Sequence, residues 1–456
     1  MRVKENGRFS IFLAFLASAV LASAALGGLS AADGASLWGR ALGGNAEDAF
    51  QMVEPSPDGG FYAAGRTLSF GGAAEIWVAK FDGAGQVKWQ KRYGGAADDD
   101  ASRLFATSDG GLILLGSTKS FGSGDCDIWV LKLDTQGRVK WQKAYGGSKM
   151  ENAYDLRPTK DGGFIVVGNT WTYGSSVAAA AWLLKLSGGG TVLWQKSYKV
   201  GDYADYPRAV LQTADGGFLM AGSTFNAGVY GMPWEDAWAM KLDASGQPAW
   251  TKGINGSYNE SAETAIETSD GGYLIAGETN SYGAGGTDIW IMKLSQGGNP
   301  VWQKTIGGSN GDSARWIQEV KKGLYILGGE TASSGKGGTD AFAMKLGATG
   351  NSLWQKTYGG SDSDEAASIR PLKDGRYVLA GRTTSFGSGD ADGLILLAAA
   401  TGMSGAGITK KASFAPRTVK FADLSWTVNA NTTRAKTKTT NAKVSSTKAV
   451  NTRIFN

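Results

Sequence analysis

The chain has 456 residues, 42% of them apolar, with 69 glycines, 9 prolines, 16 tryptophans and a formal charge of +5. The absence of histidine and the single cysteine, Cys126, exclude Ser-His and Cys-His catalysis, haem attachment, most zinc sites and an internal disulfide framework. The charge is uneven, +2 over residues 1–32, −6 over 33–400 and +9 over the remainder, so the acidic central part carries no nucleic-acid footprint.

Residues 1–32 read as a secretory signal. Arg2, Lys4 and Arg8 precede an apolar run from Phe9 to Leu26, and small-residue cleavage options follow at 22–24 and 30–32. An uncleaved membrane anchor is the alternative, and no cysteine follows to serve lipoprotein acylation. Export to the periplasm, cell surface or exterior is expected, with no integral membrane segment after cleavage.

Residues 33–403 are periodic. Trp38, Trp89, Trp141, Trp194, Trp250, Trp302 and Trp354 recur at spacings of 51, 52, 53, 56, 52 and 52 residues. Between them recurs a second phrase, "DGGFYAAGRT" in the first copy and "DGRYVLAGRT" in the seventh. Each copy resolves into four short strands, exemplified by "ASRLFAT", "GLILLG", "DIWVLKL" and "VKWQKAY" in the second. Unbroken apolar runs mean burial on both faces, whereas the alternating fourth strand has one wet face. Such a sheet is one blade of a β-propeller. Trp38 opens the series as a fourth strand without its first three, and the seventh copy ends after its third. The N-terminal strand is therefore expected to complete the last of seven blades and remove an open sheet edge.

The unit "DGG…aGxTxSfG…DiWvlKLdxxGxxxWqkxyGG" over residues 36–400 resembles a repeat family of secreted bacterial and archaeal propellers, mostly uncharacterised. "KLDTQGRVKW" (132–141) is also similar to the tryptophan-docking motif of quinoprotein and envelope-assembly propellers, which usually have eight copies. The metal ligands and vicinal cysteines of quinone-dependent members have no counterpart here, so the resemblance implies a propeller and no cofactor.

Seven copies within one chain separate scaffold from site, because a residue present in every blade answers a demand of the blade. By this test the recurrent tryptophans wedge between blades, each worth about 3–5 kcal/mol. The acid opening the third strand (Asp127, Asp236, Asp288, Asp340, Asp392, with Glu75 and Ala180 as variants) accepts loop N–H groups. "DGG" is a turn with glycine at positive φ. Cys126, between Asp125 and Asp127, is a loop residue whose thiolate is disfavoured.

The turns after the first and third strands are terse, and the connections after the second and fourth are long and share the opposite face, where a ligand is expected. Acidic runs there (Asp98, Asp99, Asp100; Asp362, Asp364, Glu365; Asp390, Asp392) suit Ca²⁺ as well as plain solvated turns, and the fragment "DADG" lacks a distal carboxylate. No other cofactor is expected. Sharper candidates lie where copies disagree: Trp171 and Tyr173 in the third, and Tyr203, Tyr206, Arg208, Tyr230, Trp234 and Glu235 in the fourth. At the start of the innermost strand, a small anchor (Ala49, Ala101, Ala153, Pro207, Ala262, Ala314, Ala366) precedes two variable positions. These include Arg103, Tyr154, Asp155, Arg208, Glu263, Arg315 and Trp316, expected to line the channel mouth or to pack it.

The tail, 404–456, is basic and rich in Thr, Lys and Asn. One strand is expected at 417–428, docking Trp426, with disorder beyond. The leading expectation is a monomeric, exported, non-catalytic module that binds a protein or polysaccharide of the cell envelope or exterior. The alternatives are a glycan hydrolase or lyase using Glu235, Glu263 and Asp155, and an envelope assembly factor.

Overall fold

The structure, a computed structural model, describes residues 38–402 apart from 71, 175–177, 228–232, 255 and 388–389, together with 409–411, 417–418 and 452–453. It is an all-β, seven-bladed propeller of four-stranded antiparallel blades, and Thr409–Lys411, Arg417–Thr418 and Thr452–Arg453 of the tail each add a short fifth strand at the outer edge of one blade. Blades 1 to 6 begin with inner strands at Asp48–Pro55, Asp99–Ala106, Glu151–Pro158, Asp205–Gln212, Glu260–Glu267 and Asp312–Lys321. Blade 7 holds Asp364–Pro371, Tyr377–Thr383 and Asp392–Ala398, and its outer strand is Trp38–Leu42, with Trp38 opposite Leu397. The ring thus closes by joining the two ends of the repeat. Among the described residues no helix is long and apolar enough to cross a membrane.

The repeated phrase builds two blade-to-blade contacts. Trp77, Trp129, Trp182, Trp238 and Trp290 on the third strands are fully buried, and each lies opposite a second-strand glycine, as Trp129 lies opposite Gly116. The missing side chain makes room for the inner strand of the same blade, since a Cβ on Gly116 would come within 2.4 Å of the Asp100 carbonyl and one on Gly168 within 2.1 Å of the Asn152 carbonyl. The recurrent fourth-strand tryptophans are instead half-buried. Each packs on the turn glycine of the next blade: a Cβ on Gly137 would come within 2.7 Å of the Trp89 ring and 2.9 Å of the Tyr93 hydroxyl. That turn is fastened by Trp89 Nε1 donating to the Thr135 carbonyl at 3.1 Å and Tyr93 Oη donating to the Gly137 carbonyl at 2.6 Å. Trp38 reaches Gly85 in the same way, so the closing strand supplies the seventh contact.

The remaining recurrent residues fasten loops. Lys132 Nζ bridges Thr107 Oγ1 and Asp109 at 2.9 Å, linking the "KL" of the third strand to the "DGG" turn, and Lys80, Lys185, Lys241 and Lys293 make the same ion pair. Asp127 accepts the Ser123 and Gly124 N–H groups at 2.9 and 3.1 Å. The first residue of every inner strand (Asp48, Asp99, Glu151, Asp205, Glu260, Asp312, Asp364) is a buried acid that accepts a loop-glycine N–H at 2.7–3.1 Å. Asp99, Asp364 and Asp392 are therefore buried fasteners, not the solvated turn acids that their loops suggest.

Every inner strand carries a β-bulge at the same place, between Ala101 and Arg103 in blade 2 and between Ala153 and Asp155 in blade 3. The extra residue leaves the ladder and re-aims its side chain, which frees it from the repeat. In blade 1 the bulge lies between Phe50 and Met52, so Phe50, not Ala49, holds the anchor position. The larger ring fits because the adjacent blade offers Gly393, and it stacks on Trp77 at 4.3 Å.

Candidate functional site

The bulges and the long connections place variable side chains in two zones, one on the loop face and one on the axis. The loop-face zone centres on blades 3 to 5. Arg208, the bulge residue of blade 4, sits over the Tyr154 ring at 4.8 Å and over Tyr206 at 5.8 Å, and its buried Nε has no acceptor. Tyr206 meets Phe225 edge-on at 5.8 Å. The blade 4 hairpin is longer than the others, with paired strands at Phe218–Ala227 and Pro233–Leu242 that lift Trp234 and Glu235 above the disc. Trp234 meets Tyr258 edge-on at 5.4 Å. Tyr203 and Tyr258 remain half exposed, at 50% and 53%. Glu235 accepts from Ser223 Oγ, and its N–H donates to Asn259 Oδ1 at 3.0 Å. Burial pushes its carboxyl above the usual range.

Around the rest of the mouth, Arg315 holds Glu330 at 2.8 Å and Glu278 at 3.2 Å, while Arg382 lies near Glu365 and Glu47. Glu263 is half-buried and adds its charge to the field on Arg315, Glu278 and Glu235. From blade 4 round to blade 1, six glutamates (235, 263, 278, 330, 365 and 47) thus face three arginines (208, 315 and 382). Burial raises the carboxyls of Glu278 and Glu365, in Glu278 against the pull of Arg315.

The second zone lies deeper, where the inner strands converge. Asp155 is fully buried and accepts from Arg103 Nε at 3.0 Å, Arg157 Nε at 3.3 Å and the Leu156 and Val210 N–H groups at 3.0 Å. With four donors its oxygens are saturated, which removes it as a general acid or base. Trp316 is 2% exposed and lies beneath the Arg370 guanidinium at 3.7 Å. Arg103, Asp155 and Trp316 accordingly pack the channel interior, while Tyr154, Arg208, Glu263 and Arg315 sit at the bulge level nearer the mouth.

Two candidates from the third copy separate. Tyr173 packs on Trp182 at 5.3 Å and donates to the Gly146 carbonyl at 3.2 Å, the place that Phe121 takes against Trp129 in blade 2. Trp171 is half-buried in the adjoining loop and donates its backbone N–H to the Met150 carbonyl. Tyr230 lies outside the described residues, as do Trp426 and most of the tail. Sequence reasoning missed Phe225, Tyr258 and Asn259. The signal for Tyr258 was present: "NGSYNES" puts a ring at the position of Tyr203 in the fourth copy, where the remaining copies carry Ala, Lys, Asn or Asp.

Among the described residues no group of three or more acids or thiols is placed to hold a metal ion. Cys126 is buried, and burial together with Asp127 pushes its thiol up to about 11, so it is not a nucleophile at neutral pH.

No family model matches the chain, and no curated protein matches it. Solved structures match the chain at low identity. Puromycin hydrolase (an S511A mutant complexed with PGG) is 14% identical with a TM-score of 0.47, over 83% of this chain and 54% of that one. A Bacteroides caccae protein of unknown function is 13% identical with a TM-score of 0.41, over 61% and 89%. Penicillium chrysogenum α-L-arabinanase, complexed with arabinobiose, is 12% identical with a TM-score of 0.41, over 77% and 94%.

Proposed function

We propose that this chain is an exported, non-catalytic binding module whose loop-rich face takes a polysaccharide or protein of the cell envelope or exterior. One observation carries this reading. In blade 4 the lengthened hairpin and its neighbouring connections raise Tyr203 and Tyr258 to the surface beside the half-buried Trp234, while the regular blades end in Gly- and Ser-rich turns. Exposed rings beside hydrogen-bonding groups (Glu235, Asn259, Arg208) offer stacking area and directional polar contacts to a sugar or a peptide. The axial carboxylate that a hydrolase would need, Asp155, is consumed by the scaffold. Glu235 is engaged by the Ser223 hydroxyl, with the charge of Glu263 adding to its field.

The test is binding of the purified mature protein to native envelope and extracellular polymer fractions. Trp234→Ala combined with Tyr258→Ala should weaken binding at least tenfold, as loss of paired aromatic anchors does, with the unfolding midpoint unchanged. Undiminished binding would remove the loop face from the interaction. A screen of the same fractions for cleavage separates the enzyme reading: turnover lost in Glu235→Gln would replace the binding-module proposal.

A further inference from the structure

The axial zone holds more positive charge than its scaffold role uses. Arg103, Arg157 and Arg370 meet there, facing the carboxylates of Glu54 and Asp155. Three cations against two anions leave +1. The pairing is also uneven. Arg370 is committed to Glu54 at 2.8 Å, with further bonds to the Val53 carbonyl and Gln318. Arg103 is committed to Asp155 at 3.0 Å. Arg157 adds a longer contact of 3.3 Å through Nε to a carboxylate already saturated by closer donors, and among the described residues its two terminal nitrogens have no hydrogen-bond acceptor. It is the surplus cation.

A second observation points to the same place. Trp316, 98% withdrawn from solvent, has an indole N–H with no acceptor, and its ring is approached by all three guanidiniums, at 3.7 Å for Arg370, 5.2 Å for Arg157 and 5.7 Å for Arg103. A buried donor without an acceptor is costly, and so is a buried charge without a counter-charge. Contact with the Trp316 ring offsets part of the charge but cannot satisfy an N–H. The zone is not solid, since the Arg103 and Arg157 side chains each keep 18% exposure.

We propose that the propeller axis binds one small, singly charged anion, a carboxylate group or a halide, held by the terminal nitrogens of Arg157 and the indole N–H of Trp316. The anion completes the charge balance of the zone and supplies the missing acceptor. Burial, joined by the charges of Arg157 and Arg103, pushes Arg370 down to about 10 against the opposing pull of Glu54. This site is independent of the loop-face reading, and neither stands or falls with the other.

The experiment is thermal unfolding of the full mature chain in acetate, in chloride and in a bulky sulfonate salt, at constant ionic strength. From none to a hundredfold excess over the dissociation constant, acetate or chloride should raise Tm by about 2–4 °C relative to the sulfonate. Greater potency of acetate would identify a carboxylate ligand, and greater potency of chloride a halide. Arg157→Gln removes the surplus charge and spares the Arg103–Asp155 and Arg370–Glu54 pairs. It should abolish the anion dependence without lowering Tm in sulfonate. Equal Tm values in all three salts, or an anion effect that survives in Arg157→Gln, would overturn the site. If that variant does not fold, bromide-soaked crystals of the unsubstituted protein decide. Anomalous density beside Arg157 and Trp316 together with the Tm shift supports the site. No density overturns it, and density without the shift, an adventitious ion only, does so too.

Discussion

The third and fourth strands and the inner strands belong to the same blades, yet they follow opposite rules. On the outer half the same side chain recurs in nearly every copy, because each blade must grip the next. On the inner strands the anchor and the buried acid recur, but the bulge residue and its follower do not: Ser102 and Arg103 in blade 2, Tyr154 and Asp155 in blade 3, Arg315 and Trp316 in blade 6. Repetition therefore marks a blade's contact with its neighbour, and divergence marks contact with the axis or the loop face. Within the outer half the two tryptophan sets also differ, and this difference is open to test. Trp129→Ala empties a fully buried site and should cost about 3–5 kcal/mol. Trp141→Ala removes a ring that solvent already reaches on one side, so roughly half that loss is expected. Equal losses in urea unfolding would make the fourth-strand tryptophan as much a core residue as its partner.

Glycines sharpen the comparison at a smaller scale. Gly137 and Gly162 both sit in turns at positive φ, 69° and 78°. Alanine at either meets the backbone penalty, about 1 kcal/mol. At Gly162 nothing lies within 4 Å of the new Cβ, so the penalty ends there. At Gly137 the Cβ meets the Trp89 ring and the Tyr93 hydroxyl, and overpacking adds about 1–2 kcal/mol. Gly137→Ala should thus destabilise two to three times as much as Gly162→Ala. In combination with Trp89→Ala the excess should shrink to what the Tyr93 hydroxyl alone imposes, since the colliding ring is gone. Purely additive losses would mean that the ring and the glycine do not touch in solution.

The propeller, its blade number and its closure by Trp38–Leu42 were legible in the sequence because each is written several times over. A period near 52 residues, an orphan fourth strand at the start and a missing one at the end admit one arrangement. The roles within the phrase were only partly legible. Trp141 drew attention as the most regular mark, whereas Trp129 does the deeper packing, because periodicity registers recurrence and not burial. Asp99 and Asp364 look like solvated turn acids beside Asp98 and Asp362, and only their hydrogen bonds to loop glycines distinguish them. The axial zone was least legible. Asp155, Arg103 and Trp316 were singled out as variable, but Arg157 on the same strand as Asp155 was passed over, Glu54 and Arg370 lie on other inner strands, and register across the axis is set by the bulges.

The two regions should also part on a pH axis, with the smallest effect. In the turn face, hydrogen bonds from Lys80 and Ser56 hold Asp58 down to about 2 against the opposing pull of burial, and Asp161 and Asp215 are lowered likewise. A depressed carboxyl stabilises above its unfolded pKa and loses that contribution as pH falls through the folded value, here from about 4 towards 2. On the loop face, burial raises Glu235, Glu278 and Glu365. A raised carboxyl favours the fold below its unfolded pKa and loses that contribution as pH rises, so stability should increase slightly from pH 7 to about 5 before falling below 4. The turn-face carboxylates are about half exposed, so screening limits each to a few tenths of a kcal/mol. Urea unfolding across this range should show the shallow maximum. Glu278→Gln should flatten its upper limb, and Asp58→Asn with Asp161→Asn its lower one. A stability that falls steadily from pH 7 downwards would mean that the buried glutamates of the loop face are already compensated, with Arg315 outweighing burial at Glu278.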